Sequence, residues 1–222
     1  MQKKGASVKI DSGLLFETRK YRLTGIEPML GSQPASRALR TEFIASKAPS
    51  PADVAEEDNL LGSEEERGLT VFLRDDETDQ LIMLDYMVRG YFKGTLEALI
   101  AQTGIKMPRS KVDKYLFVGP RRIQIMRDGK PIYEEDDQIE RPLRADTMRG
   151  PRVSLAASES IDAGWTVDIE VTLMPNPESK ASKAVTWDAV EMALDYGRFQ
   201  GLGQWRTGGN GRFVWERIDN DE

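Results

Sequence analysis

The sequence predicts an α+β domain. Two segments carry apolar residues at helical spacing, several shorter runs alternate apolar and polar residues, and the two kinds follow one another in the order strand, helix, strand, strand, helix, strand. The 222 residues suit one domain spanning 1–222. A chain of this length buries about 70% of its unfolded surface and needs no covalent staples.

The segment KYRLTGIEPMLG (20–31) reads as a strand that ends at Pro28 and Gly31. Residues 46–68, rich in Pro, Ser and acid, read as an exposed insertion. LTVFLRD (69–75) reads as a strand. Residues 84–104 place Phe92, Leu96, Leu99 and Ile100 at helical spacing, with Asp85 as cap and Gly104 just past the end. Gly90 and Gly94, four apart, suit a helix lying close on a sheet. Residues 114–135 read as strand, turn, strand, with Asp128-Gly129 as a tight turn. Residues 153–174 read as a second strand pair around Asp162-Ala163-Gly164; the last strand alternates Val167, Ile169, Val171 and Leu173. VTWDAVEMALDYGRF (185–199) is a helix capped by Thr186 with Trp187, Val190 and Leu194 inward. A glycine-rich loop and the strand RFVWERI close the chain. Without its extras this is the β-α-β-β-α-β, ferredoxin-like order.

Composition removes several chemistries. There are no cysteines and no histidines, so disulfides, thiolate metal sites, a cysteine nucleophile and a Ser-His-Asp triad are excluded. MQKKGASVKIDSG has no apolar signal core, and no run approaches the ~18 apolar residues of a membrane span. The expectation is a soluble, cytoplasmic protein with no membrane partner. Net charge is −6 but uneven: 51–80 carries eleven acids against Arg67 and Arg74, whereas 105–152 carries twelve Lys or Arg against eight acids. A binding face needs local field rather than global charge.

The stretch GLGQWRTGGNGRF (201–213) contains Gly201, Gly203, Gly208, Gly209 and Gly211. It lacks the GK[ST] of a phosphate-binding P-loop, and its Gly-x-Gly follows a helix rather than a strand. Two readings stay open. In one, the glycines let another molecule reach the backbone, with Trp205, Arg206 and Arg212 meeting phosphates and bases. In the other, the loop packs tightly on its own helix with Trp205 in the core.

A helix, then Gly201-Leu202-Gly203, then Gly208-Gly209-Asn210-Gly211-Arg212-Phe213 leading into an aromatic strand, resembles the C-terminal glycine-rich loop of RAMP proteins, the CRISPR-associated RNA-binding superfamily with RRM-like folds. That resemblance covers about the last 50 residues plus the element order. The segments YRLTGIEPMLGSQPA, ERPLRADTMRGPRVSLAASE and LDYGRFQGLGQWRTGGNGRF also resemble an uncharacterised family of phages and prophages, which brings no activity with it. The RAMP resemblance implies RNA binding and assembly along a strand. The sequence departs from processing RAMPs in having no histidine to act as a base.

ERPLRADTMRGPRVS (140–154) adds Arg141, Arg144, Arg149 and Arg152 within an ordered loop set by Pro142, Gly150 and Pro151. Arginine suits phosphate because its fork donates two parallel charge-assisted bonds. Beside Arg121, Arg122 and Arg206 these residues would form a groove for single-stranded nucleic acid, with Tyr91, Phe92, Tyr115 or Trp205 stacking bases. Alternatively the arginines pair with Glu134 to Asp137, Glu140 and Asp146.

Catalysis by carboxylates is a weaker reading. Asp168-x-Glu170 on a strand and Glu178-Ser-Lys180 in the next loop are similar to the metal-dependent nuclease pattern, but they sit on a solvent face and a loop. Glu56, Glu57, Asp58 and Glu64 to Glu66 read as a solvating run. The leading expectation is a non-catalytic protein of phage origin that binds single-stranded nucleic acid, needs no cofactor or metal, and works as a homo-oligomer or within a larger nucleoprotein complex. The alternatives are a phage anti-defence protein that mimics a subunit of a host complex, such as a CRISPR effector, and a metal-dependent nuclease.

Overall fold

A computed structural model of the chain describes residues 16–35, 69–147 and 150–218. The predicted insertion at 46–68, its acidic run, and Arg149 lie outside the described residues.

The body is mixed α+β. Its central sheet is antiparallel. β1 (Glu17–Gly25) pairs along one edge with β13 (Trp165–Leu173) and along the other with β14 (Phe213–Arg217). The far edge of β13 takes β7 (Leu116–Gly119) at one end and β9 (Met126–Arg127) at the other, with β10 (Lys130–Pro131) beyond β9. Strict alternation gives this sheet two unlike faces. Tyr21 and Leu23 of β1 and Trp165, Val167, Ile169 and Val171 of β13 are buried. On the opposite face Arg22 donates two hydrogen bonds to Asp168, both 2.8 Å, Lys20 pairs with Glu170 at 3.0 Å, and Thr18 meets Thr172. These are cross-strand partners that support the register.

The helices cover the apolar face. α1 (Asp85–Ala98) buries Val88, Tyr91, Phe92, Thr95 and Leu96, a spacing of three and four residues that makes one stripe. α4 (Trp187–Asp195) buries Ala189, Val190, Ala193 and Leu194, and Thr186 accepts from the Ala189 N–H as the predicted cap. The expected Asp85 cap is replaced: Leu84 is the N-cap, and Asp85 instead accepts from the Tyr86 N–H and from Arg121. The predicted single helix breaks at Leu99 and resumes as α2 (Ile100–Thr103), closed by Gly104 in the left-handed conformation, φ 69°. α3 (Pro108–Tyr115), absent from the sequence reading, precedes β7.

Two smaller sheets flank this body. β5 (Leu73–Arg74), β6 (Leu81–Leu84) and β8 (Arg122–Gln124) form one. The other joins β11 (Asp137–Thr147), β12 (Gly150–Ile161), β4 (Leu69–Val71) and β3 (Gln33–Pro34), with β2 (Met29–Leu30) pairing the end of β12. The predicted strand pair around Gly164 therefore parts: β12 enters one sheet and β13 the other. The turn at Asp128 and Gly129 has φ 51° and 72°, the two left-handed residues of the tight hairpin expected there. Among the described residues no helix is long and apolar enough to cross a membrane.

Gly90 and Gly94 do not bring α1 against the sheet; nothing lies within 4 Å of where a Cβ would stand at either. They are helix-interior glycines with no steric reason. Gly90→Ala and Gly94→Ala should each stabilise the fold by about 0.5–1 kcal/mol in urea unfolding, since the folded state loses nothing and the unfolded chain loses freedom.

Candidate nucleic-acid interface

The arginine segment predicted as a loop is a β-ribbon. β11 and β12 pair without interruption from Asp137↔Ser160 to Thr147↔Gly150. β4 and β2 hold β12 only at 157–158 and 160–161. From Arg141↔Ala156 outward the ribbon has two strands and leaves the body by roughly 20 Å at about 3.3 Å per residue. The prolines misled the reading. β11 is an edge strand, and Pro151 lies where β12 has no third neighbour, so neither removes a needed ladder bond. Arg144 and Arg152 occupy positions on this ribbon.

Arg141 stands at the ribbon's root. It is 8% exposed, its guanidinium lies 4.9 Å from the centre of the Trp205 ring, and its Nε and Nη1 have no hydrogen-bond partner among the described residues. Burial pushes its pKa down, yet arginine stays charged. A desolvated cation whose donors are unmade is costly, and the stack on an indole face offsets only part of that.

Trp205 comes from the glycine-rich loop. Its backbone is left-handed, φ 47°, a strained conformation for a bulky residue, and its ring is 41% exposed. Gly208 sits against that ring, where a Cβ would collide with it. Arg206 opens the 3-10 turn Arg206–Gly208. Arg212 is half-buried, lies beside Gly209, and leaves its Nε without a partner.

The close approach that the other glycines permit is made by the chain itself. Gly201 and Gly211 cross backbone to backbone, with the Leu202 N–H donating to the Gly211 carbonyl at 2.9 Å. Gly203 lies against the Leu30 carbonyl, the Gly211 N–H reaches the Pro28 carbonyl at 2.6 Å, and the Ile26 N–H reaches the Arg212 carbonyl at 2.8 Å. The loop is thus sewn to residues 26–30 and presents Trp205 on a rigid base.

Several predicted site residues stand apart from this cluster. Arg121 is bound by Asp85 at 2.6 Å, and Arg122 by Asp75 at 3.0 Å and Asp76 at 2.5 Å. Tyr91 and Phe92 are core residues, the Tyr91 hydroxyl donating to the Ala193 carbonyl at 2.6 Å, so neither stacks a base. Tyr115 is half-buried at the end of α3, at the other end of the sheet. Asp168 and Glu170 are taken by Arg22 and Lys20, and Glu178 accepts from the Ala184 N–H. Among the described residues no group of three or more acidic side chains is placed to hold a metal ion.

Sequence reading missed Glu159, which alternation places on the inner side of β12. It is 7% exposed, its Oε2 accepts from the Phe72 N–H at 2.7 Å, and burial raises its pKa. Asp136, held chiefly by Arg127, and Asp75, held by Arg122, have lowered pKa values.

No family model matches the chain, and no curated protein matches it. Among solved structures it is similar to a chain of the type III-B Cmr-beta complex bound to cognate target RNA, at 8% identity and a TM-score of 0.41 over 92% of this chain. It spans 59% of that chain's length. It is also similar to a chain of a type IV-B CRISPR complex, at 9% identity and a TM-score of 0.48, over 93% of this chain and 92% of that one. Likeness at this level is too remote to carry function from those chains to this one.

The raised pKa of Glu159 means that its folded-state penalty is absent in acid and grows as pH rises through the folded value. Asp136 and Asp75 act oppositely, their stabilisation being lost as pH falls. Glu159→Gln keeps an acceptor for the Phe72 N–H and removes the buried charge. At pH 7 to 8 it should raise the melting temperature by about 2–4 °C, of order 1 kcal/mol, with the gain fading toward pH 4 in scanning calorimetry.

Proposed function

We propose that this protein binds single-stranded nucleic acid, without cleaving it, as part of a larger nucleoprotein complex. One observation carries the reading: Arg141, nine-tenths buried on Trp205, keeps two donors unmade at the foot of an arginine-bearing ribbon. A group that costs folding energy and meets no anion among the described residues suits an anion that arrives from outside. Arg212 and Arg206 lie on the same loop, and the exposed part of the Trp205 ring offers a surface on which one base stacks. Arg144 and Arg152, which occupy ribbon positions, extend the track, their guanidinium groups pairing phosphates. Arg121 and Arg122, held by carboxylates, fall outside the proposed contact. The commitment of Asp168 and Glu170 to Arg22 and Lys20 supports binding rather than hydrolysis.

The fold supports the same reading. The order β14–β1–β13–β7, antiparallel throughout, with α1 and α4 over one face, is what a β-α-β-β-α-β ferredoxin-like core would present. Its open face differs from a stacking platform: Arg22, Asp168, Lys20 and Glu170 form internal pairs there, so the strand is met at the edge, by the ribbon and the glycine-rich loop.

Fluorescence anisotropy with labelled single-stranded RNA and DNA tests this. Arg141→Met should weaken binding at least ~10-fold and lower the salt slope by about 0.7, one phosphate contact on a single strand. The same variant should melt higher than the parent, because an unmatched buried cation is replaced by an apolar chain of similar length. Arg122→Ala should leave affinity within twofold and lower stability instead. Loss of stability in Arg141→Met with unchanged affinity would refute the proposal.

A further inference from the structure

At the opposite end of the central sheet lies a second cationic site. A concavity of about 370 Å³ opens between the start of α3 and the loop before α4, lined by Lys106, Met107, Lys111, Lys114, Tyr115 and Ser182 among others. It is a built feature. The Lys183 N–H donates to the Gly104 carbonyl, the Lys106 N–H to Ser182 Oγ at 3.1 Å, and Lys111 Nζ to Ser182 Oγ at 2.8 Å and to the Lys183 carbonyl. Lys111 is thereby fixed at the wall, while Lys106 and Lys114 are exposed.

The charge here differs from that of seven arginines elsewhere on the body. Arg19, Arg22, Arg74, Arg109, Arg121, Arg122 and Arg127 each meet a carboxylate. Among the described residues Lys106, Lys111 and Lys114 meet none. The nearest acids in sequence are already engaged, Asp113 by Lys93 at 2.5 Å and Glu178 by the Ala184 N–H. Besides Ser110 and Ser182 the rest of the lining is apolar or aromatic, with Met107 74% exposed and Tyr115 half-buried.

We infer that this pocket binds the terminal phosphate of a nucleotide. Three ammonium groups match a phosphate monoester, which carries about −1.5 to −2 charges at neutral pH, better than a diester of the backbone with its single charge. Met107 and Tyr115 supply apolar and aromatic surface for the attached base. The size falls within the range of about 300–1,000 Å³ seen for small-ligand sites. The ladder from Glu17↔Leu173 to Thr24↔Thr166, roughly 25 Å long at about 3.3 Å per residue, separates the pocket from the glycine-rich loop, so the two sites take different phosphates.

The nucleotide is either free or the end of a strand, and the experiment separates the two. AMP is titrated calorimetrically. Ten-residue oligouridines labelled at the 3′ end, with a 5′ phosphate or a 5′ hydroxyl, are followed by anisotropy. Each is run on the parent, on Lys106→Ala/Lys114→Ala and on Arg141→Met. AMP binding weakened about 100-fold by the lysine pair and unchanged by Arg141→Met supports a free nucleotide, each of the two lost charge-assisted contacts being worth about tenfold. A 5′-phosphate advantage of several-fold that the lysine pair abolishes, without AMP binding, supports a strand end. Equal affinity of the two oligonucleotides together with no AMP binding overturns the inference. So does an advantage that survives the lysine pair, or displacement of AMP by an equal concentration of a short polyglutamate peptide. Binding of the 5′-hydroxyl strand through Arg141 is untouched by any of these results, so each site stands or falls alone.

Discussion

The antiparallel register between β1 and β13 sets the position of everything else. Eight consecutive pairs, Glu17↔Leu173 to Thr24↔Thr166, put every apolar side chain of both strands on one face. A slip of β1 by one residue would turn Tyr21 and Leu23 to water and bury Lys20 and Arg22 away from Glu170 and Asp168. The salt-bridged face therefore specifies the register as much as the apolar face stabilises it. At the far end of the ladder, Gly25 allows the Trp165 ring to lie directly on the β1 backbone, and the Trp165 indole N–H donates to the Glu27 carbonyl at 3.0 Å. That contact aims residues 26–30 at the glycine-rich loop, and so fixes where Trp205 stands.

From this frame the charge pattern becomes intelligible. The protein is acidic overall, and seven of the arginines of its body are matched by carboxylates. Exposed pairs of this kind contribute little each, commonly about 0–1 kcal/mol, so their consequence is more for the field than for stability. Matched arginines cancel. Among the described cations that meet no carboxylate are Arg141 and Arg212 at the glycine-rich loop and the lysines of α3 and the segment before it. A protein of net charge −6 can hold a polyanion if its positive field is local and its acids are spent elsewhere.

Arg141 is costly where it stands. Its guanidinium is stacked, desolvated and incompletely bonded. An apolar residue would pack in the same space without the desolvation cost. The strained left-handed backbone of Trp205, held by the bond from the Gly208 N–H to its carbonyl and by Asn210, repeats the pattern on the other side of the stack. Two unfavourable local choices meet at one contact.

The sequence by itself determined the α+β class, a helix within 185–199 with its Thr186 cap, the Asp128-Gly129 turn and the inward set of β13, because each is a matter of local period or local backbone chemistry. It also marked the arginine segment and the glycine run as unusual. Tertiary structure alone decided what these were. Pro142, Gly150 and Pro151 looked like breakers, yet an edge position makes them compatible with a long ribbon. The five glycines left open both an approach by a partner and a loop packed on its own chain, and Gly201, Gly203 and Gly211 are approached by the chain's own backbone. Arg121 and Arg122 read like Arg141, and only the placement of Asp75, Asp76 and Asp85 tells them apart. Periodicity is written in neighbours along the chain; whether a charge is paired or bare depends on residues tens of positions away, brought near by the fold.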